Sequence, residues 1–298
     1  MWSKHYDWSG HGDEWSSMWG NAEAQWCHTL QPRIARWLPT GNVLEIAPGY
    51  GRWAQFLIGL SREYMGIDIA ENAVDACKRR FATEQHARFV VNDGRSLEAV
   101  PDEWADLVFS FDSLVHVERD DIQAYLSQLV DKLAPGGHAF LHHSNLAMYP
   151  VRGLTRWDEW RARSVSADTF RRDCSDVGLR CVSQELIPWQ RTRFIDCISV
   201  VEAAPKPSPP GSSTTPLPAV PASPDTVVVM NPYFSLEGLS ARRIRRIYHG
   251  DTPSQTPVAG NTVGRVMGNR DEAAKWARGW LSFLGAALRS TTAKSRPL

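Results

Sequence analysis

The chain has 298 residues, of which 43% are hydrophobic, so it is long enough to bury one large core or two smaller ones. Its 33 Lys and Arg residues balance 33 Asp and Glu residues, which excludes a global electrostatic attraction to nucleic acid or to an anionic membrane. Five widely spaced cysteines without a CxxC pair argue against a disulfide framework or a zinc site and predict a reduced, cytoplasmic location.

The N-terminal part is rich in tryptophan, and it begins without the apolar core of an export signal. These tryptophans either line a ligand site or fix the segment to the body of the protein. Trp26, Leu30, Ile34 and Leu38 follow one another every four residues and predict a helix over 21–38. Residues 1–40 are therefore expected to form a cap with a leading helix.

Apolar strands alternate with amphipathic helices across residues 41–203, which we expect to form the catalytic domain. The strands are predicted over 42–47, 63–68, 87–92, 105–111 and 137–143, followed by a pair over 179–189 and 193–203, and the helices over 51–60, 70–82, 120–133 and 166–177. This alternation predicts an α/β, Rossmann-like fold with a mainly parallel sheet and helices on both faces. Ligands bind such sheets beyond the carboxyl ends of the strands, so the loops there are the candidate site.

The remaining chain differs in composition from this domain. Residues 204–225 are rich in Pro and Ser and predict a linker. Residues 226–298 are expected to form a helical tail, in which Trp276, Trp280, Leu284 and Leu288 make an apolar stripe. The stripe needs a partner surface, either on the domain or on a second copy of the chain, so a homodimer stays open. The longest apolar run falls well short of the ~18 residues that a membrane span requires.

The segment "VLEIAPGYGRWAQFL", residues 43–57, joins a predicted strand to a predicted helix through a glycine-containing loop. "GYGRWA" fits the dinucleotide fingerprint, and Asp68 follows at the end of the next strand, where it could bind ribose hydroxyls. An NAD-dependent oxidoreductase is therefore one interpretation. Glu45 within the strand and Pro48 directly before the first glycine favour a different nucleotide-derived ligand.

With these features the chain resembles the class I S-adenosylmethionine-dependent methyltransferases, whose first motif reads [DE]-x-G-x-G-x-G. The resemblance extends from about residue 38 to 202 and implies a seven-stranded sheet with an antiparallel last strand. It implies that Asp68 binds the ribose hydroxyls of the methyl donor and that Asp93 accepts from its adenine amino group. The carboxylates of Glu45, Asp68 and Asp93 are then expected to converge on one cleft. The donor-binding residues implied are Glu45, Ala47, Gly49, Gly51, Asp68, Ile69, Asp93, Gly94 and Asp112.

Three histidines are candidates for the base that activates a methyl acceptor. His116 follows the fourth predicted strand, and His142 and His143 end the fifth. A hydroxyl needs a base before it attacks a methyl group, so a histidine on this edge of the sheet favours an oxygen acceptor. Side chains alternate along a strand, so we expect only one of His142 and His143 to face the cleft, and His143 lies nearer the open end.

The segments "DSLVHVE" and "HHSN" are similar to those of bacterial sugar and polysaccharide O-methyltransferases. The resemblance implies a hydroxyl of a sugar, glycan or glycosylated metabolite as acceptor, and Mg²⁺ as an optional cofactor. The sequence shows no tight carboxylate cluster of the kind that a dedicated Mg²⁺ site requires, and whether Asp112, Glu118 and His143 meet in space stays open. Arg152 and Arg156 are candidates to hold an anionic acceptor. A small natural-product scaffold methylated at O, N or C stays an alternative, as does a binding protein that has lost its catalytic base.

Overall fold

A computed structural model describes residues 8–149, 160–187 and 194–203. The predicted linker and tail, Arg152 and Arg156 lie outside these described residues. Within them, no helix combines the length and the apolar character needed to cross a membrane.

A helical segment precedes the sheet, as predicted from the apolar residues that recur every four positions. A 3₁₀ helix, Asp13–Trp19, comes first, and Asn21 then caps helix α1 by accepting a hydrogen bond from the backbone of Ala24. The rest of the segment consists of four consecutive helical elements: α1 Ala22–Gln25, a π-helical turn Trp26–Leu30, α2 Gln31–Ile34 and a 3₁₀ turn Ala35–Trp37. Its apolar side is buried in a core that it shares with the sheet, so this N-terminal segment packs against the body of the protein.

Seven strands form a single sheet. They are β1 Thr40–Ile46, β2 Ser61–Asp68, β3 Ala87–Val91, β4 Ala105–Ser110, β5 Leu133–Ser144, β6 Leu179–Ile187 and β7 Asp196–Ala203. The order across the sheet is β3-β2-β1-β4-β5-β7-β6, and only the pairs that involve β7 are antiparallel. The predicted Rossmann-like fold, mainly parallel with an antiparallel last strand, is confirmed.

The strand order reverses beside β1, which pairs with β2 on one side and β4 on the other. At such a switch point the loops after neighbouring strands diverge and leave a crevice for a ligand. Strand β7 runs antiparallel, so its first residue, Asp196, lies at the same edge as the ends of β1, β4 and β5. This edge holds the candidate site.

Helices cover both faces of the sheet. They are α3 Ala54–Leu57, α4 Glu71–Arg80, α5 Arg119–Lys132 and α6 Ala167–Asp176. Helix α6 begins at a capping box, in which the Ser166 side chain accepts from the Thr169 backbone and the Thr169 side chain accepts in return. The apolar residues divide into one core packed by α5 and α6 and another packed by α3, α4 and the N-terminal helices, so the sheet is buried on both sides.

Candidate functional site

The loop after β1 needs residues that tolerate a left-handed backbone. Ala47 has φ 57°, Gly49 φ 57° and Gly51 φ 87°. A Cβ at Gly51 would lie 2.6 Å from Phe81 Cε2, so this position must be glycine. A Cβ at Gly49 would meet no atom within 4 Å, so the backbone there faces open space. Gly51 thus serves the packing of the loop, whereas Gly49 leaves room for a ligand.

Asp68 ends β2 beside this loop, and its side chain is held by backbone N–H groups. Gly49 N donates to Asp68 Oδ2 and Ala70 N donates to Oδ1, both at 2.9 Å. Burial raises the pKa of Asp68 above its ordinary value of 3.8, while these hydrogen bonds oppose the rise. Each carboxylate oxygen can accept a further hydrogen bond, so Asp68 is oriented to accept from a ligand's hydroxyls.

The next position, Ile69, is an apolar side chain left 64% exposed at the end of β2. A Cβ at Gly94, in the loop after β3, would lie 3.0 Å from Ile69 Cδ1, so glycine allows the two loops to approach. Asp93 precedes it and accepts from Arg95 N and Ser96 N, which holds the pKa of this exposed carboxyl below its ordinary value. An exposed apolar face beside an ionised carboxylate suits a purine ring with an amino group.

Glu45 corrects the expectation that three carboxylates share one open cleft. It is only 1% exposed, and Tyr64 Oη donates to its Oε2 at 2.5 Å. Burial raises the pKa of Glu45 to about 8, although Tyr64 and Arg52 oppose the rise. Glu45 therefore lies beneath the glycine loop as a largely protonated acid, and only Asp68 and Asp93 reach the edge of the sheet. Tyr64 lies 19 residues away on β2, so no local pattern signals this pair.

Asp112, after β4, lies opposite the glycine loop in a left-handed conformation with φ 69°. Arg52 Nη2 donates to its Oδ2 at 2.9 Å, and the side chains of both residues are largely buried. Burial alone would raise the pKa of Asp112, but Arg52, His142 and Arg161 outweigh it and keep the carboxyl ionised. Asp112 is thus paired with Arg52 of the glycine loop, a residue that is not among the predicted site residues, and its predicted part in donor binding stays a prediction.

His142 supports Asp112 from beneath. Its Nδ1 accepts from Asp112 N at 3.1 Å, and its Nε2 lies 3.5 Å from Asp196 Oδ2. The ring stacks on Phe111 and has no exposed surface. His142 thus orients the backbone at Asp112 and does not reach a substrate directly.

The structure also corrects the ranking of His143 as first candidate base. His143 is fully buried on the opposite face of the sheet from His142, where its ring stacks on Phe170 at 4.0 Å. Its Nδ1 lies 2.8 Å from Ser144 O, and its Nε2 lies 2.8 Å from Ser199 Oγ. Both ring nitrogens are engaged, so His143 serves packing. The predicted alternation along β5 places the two histidines on opposite faces, but neither faces an open cleft, because both are fully buried.

His116 is the candidate base that keeps some exposure, in the short helical turn after β4. Its Nδ1 contacts the carbonyl oxygen of Trp160, whose side chain is 45% exposed. A carbonyl oxygen only accepts, so Nδ1 carries the proton and Nε2 is the basic nitrogen. Burial, with Arg161, lowers the pKa of His116 below 6.5, so the ring is neutral at pH 7.

The segment that brings Trp160 to His116 is fastened by Glu118. This carboxylate accepts from Arg163 N at 3.2 Å and Ser164 N at 3.1 Å, and Ala162 N donates to Val115 O at 2.8 Å. Glu118 therefore positions a loop. Within the described residues no group of three His, Cys, Asp or Glu side chains could hold a metal ion, and Asp112, Glu118 and His143 do not meet.

The residues at this edge fit the methyl donor that the sequence implies. Open space at Gly49, the oriented carboxylate of Asp68 and the exposed face of Ile69 follow one another along the ends of β1 and β2. In this order, they suit the amino acid, the ribose and the adenine parts of S-adenosylmethionine.

Comparison with known proteins agrees with the fold and the loop chemistry. Residues 43–137 match the family Methyltransf_25, described as a methyltransferase domain. This stretch includes the glycine loop, Asp68, Asp93 and Asp112. Residues 43–137 therefore carry a methyltransferase domain, and the sheet that contains them has the class I methyltransferase fold. None of the curated proteins compared with it matches.

Solved structures share the fold at low sequence identity. An S-adenosylmethionine-dependent methyltransferase from Clostridium acetobutylicum is 12% identical, with a TM-score of 0.52, over 66% of this chain and 98% of that one. The CcbJ methyltransferase from Streptomyces caelestis is 18% identical, with a TM-score of 0.46, over 57% of this chain and 92% of that one.

Proposed function

We propose that the chain transfers a methyl group from S-adenosylmethionine to a hydroxyl of a sugar, glycan or glycosylated small molecule, with His116 as the general base. The observation that carries the proposal is the contact of His116 Nδ1 with the backbone carbonyl oxygen of Trp160, which places a residue that is 45% exposed next to His116. Tryptophan faces pack well against the apolar face of a sugar ring, which would bring a ring hydroxyl towards His116.

The chemistry divides between the donor and the residues of this chain. S-adenosylmethionine supplies an electrophilic methyl group on sulfur. In the proposed step a bond forms between the acceptor oxygen and the methyl carbon, the sulfur–methyl bond breaks, and the hydroxyl proton passes to His116 Nε2. A neutral imidazole is needed for this role, and the lowered pKa of His116 keeps it neutral at pH 7. Asp68 and Asp112 orient the donor, and positioning supplies a large part of the rate.

The test combines labelled donor, a panel of oligosaccharides and small phenols, and two histidine variants. His116→Gln should lower turnover by on the order of 100-fold and leave the affinity for S-adenosylhomocysteine unchanged, because only the proton transfer is lost. His86→Gln is the matched control, since His86 lies before β3 and contacts Ile58 O away from the site. Full turnover in His116→Gln would exclude His116 as the base.

The acceptor class is tested in the same assay. Methylation of phenols alone would favour a natural-product scaffold over a sugar. Calorimetric titration with S-adenosylhomocysteine and with NAD addresses the donor itself, and tight binding of NAD alone would point to an oxidoreductase.

A further inference from the structure

We propose that Arg52 and the indole N–H of Trp53 form a carboxylate-binding site, completed by the N-terminal segment, that holds the amino acid end of the donor. The inference rests on the proposed donor, but it concerns residues outside the first motif. It adds the charged guanidinium of Arg52 to the part of the site where Gly49 supplies only open space.

The first observation is a buried guanidinium nitrogen that has no hydrogen-bond partner among the described residues. The Arg52 side chain is 6% exposed, and its Nη2 donates to Asp112. Its Nη1 is buried and has no hydrogen-bond partner among the described residues. A buried charged donor without a partner is costly, so the arrangement suits an anionic ligand that occupies Nη1 when bound.

The second observation is that Arg52 is held in place by aromatic rings. Its Cζ lies 4.5 Å from the centre of the Trp53 ring and 5.4 Å from that of Trp15. Two indole faces fix the plane of the guanidinium, which pre-organises its N–H groups for a bidentate anion. Trp15 belongs to the N-terminal cap, so the cap forms one wall of this site.

A third observation concerns the indole N–H of Trp53. Trp53 Nε1 is also buried and lacks a partner within the described part of the chain. The Trp53 ring lies against the guanidinium, 4.5 Å from Arg52 Cζ to the ring centre. Both groups have a proton to donate, so an accepting group such as a carboxylate would supply the partner that each lacks.

The position of Asp112 beside Arg52 indicates what kind of carboxylate-bearing ligand fits. An α-amino acid end carries a carboxylate and an ammonium group two bonds apart, so it needs donors and an acceptor side by side. Arg52 Nη1 supplies donors, and the ionised Asp112 beside it supplies an acceptor. Gly49 opens the backbone three residues before Arg52. The homocysteine part of the donor has this charge pattern, whereas a simple acidic acceptor lacks the ammonium group.

The test compares two ligands that differ in the amino acid end. S-adenosylhomocysteine has the carboxylate, and 5′-methylthioadenosine keeps the adenosine but lacks it. Arg52→Gln should weaken the binding of S-adenosylhomocysteine on the order of 10- to 100-fold and change that of 5′-methylthioadenosine by less than about threefold. Trp53→Phe keeps an aromatic face against Arg52 and removes the N–H, so it should produce a smaller loss with the same selectivity. Arg88→Gln, on the exposed surface of β3, is the control and should change neither affinity.

Two results would overturn the assignment. Equal weakening of both ligands in Arg52→Gln and Trp53→Phe would mean that these residues only support the fold. Unchanged affinity for both ligands would mean that a water molecule or an acceptor group occupies Nη1. Trp53→Phe keeps the proposal testable if Arg52→Gln does not fold. A wild-type protein that binds neither ligand would instead contradict the proposed donor.

Discussion

Arg161 donates two hydrogen bonds to Asp196, at 2.8 and 3.1 Å, and so joins the segment after β5 to the first residue of β7. Asp196 has no exposed surface, and His142 Nε2 lies 3.5 Å from the same carboxylate. His142 in turn accepts a hydrogen bond from Asp112 N. The Asp196 carboxylate therefore supports both the segment that contacts His116 and the loop that holds Asp112.

Replacement of this carboxylate should be strongly destabilising. Burial alone would raise the pKa of Asp196, but Arg161 and His142 hold it well below its ordinary value. Asp196→Asn removes the buried negative charge that accepts two hydrogen bonds from Arg161, so we expect a loss of about 3–5 kcal/mol in the free energy of unfolding, measured with urea at pH 7. Asp168→Asn breaks a largely exposed ion pair and is the control, with an expected loss below about 1 kcal/mol. A similar small loss in both variants would show that the buried pair contributes little.

Glu45 should make the protein less stable as the pH rises towards 8. Its folded pKa of about 8 lies above the ordinary 4.5, so the folded state retains a proton that the unfolded state has released. Stability is therefore full below about pH 4.5 and declines until the folded pKa is passed, by at most about 1.4 kcal/mol per pH unit. Glu45→Gln stays neutral, and urea unfolding at several pH values between 5 and 8 should give a flatter profile. An unchanged slope would mean that Glu45 is ionised in the folded protein.

Replacement of the two loop glycines by alanine should affect different properties, stability at Gly51 and ligand affinity at Gly49. Gly51→Ala places a methyl group 2.6 Å from Phe81, so we expect a loss of several degrees in melting temperature. Gly49→Ala meets no atom of the protein, so its cost in stability should stay near the ~1–2 kcal/mol of a left-handed alanine. The new methyl group points into the proposed donor space, so the affinity for S-adenosylhomocysteine should fall in calorimetric titration. Normal affinity in Gly49→Ala would place the donor elsewhere.

His143 should contribute to stability without a part in turnover. Its pKa is lowered to about 4 by burial, below the ordinary 6.5, so its stabilising effect is present above pH 6.5 and is lost as the pH falls towards 4. We expect His143→Gln to lose about 1–3 kcal/mol at pH 7, because it disrupts two buried hydrogen bonds and a ring stack. Turnover per folded molecule should match the wild type when activity and unfolding are measured on the same sample. A large fall in turnover per folded molecule would mean that His143 takes part in the reaction.

Much of the fold and of the donor site is predictable from the sequence, because these features depend on local patterns. Strand and helix periodicity, together with the glycines at 49 and 51, predict the sheet and its first loop, and the acids at 68 and 93 follow strands whose ends share one edge. Asp68, Ile69 and Asp112 all lie at that edge in the structure.

Burial and pairing between distant residues come from the tertiary structure alone. Glu45 is enclosed because Tyr64 of the neighbouring strand donates to it, and His143 is enclosed because α6 covers the second face of β5. Arg52, Arg161 and Asp196 acquire their importance from partners 35 or more residues away. A sequence pattern records which side chains a strand or loop presents, but the free energy of a charge depends on what surrounds it after folding, and those surroundings are assembled from distant parts of the chain.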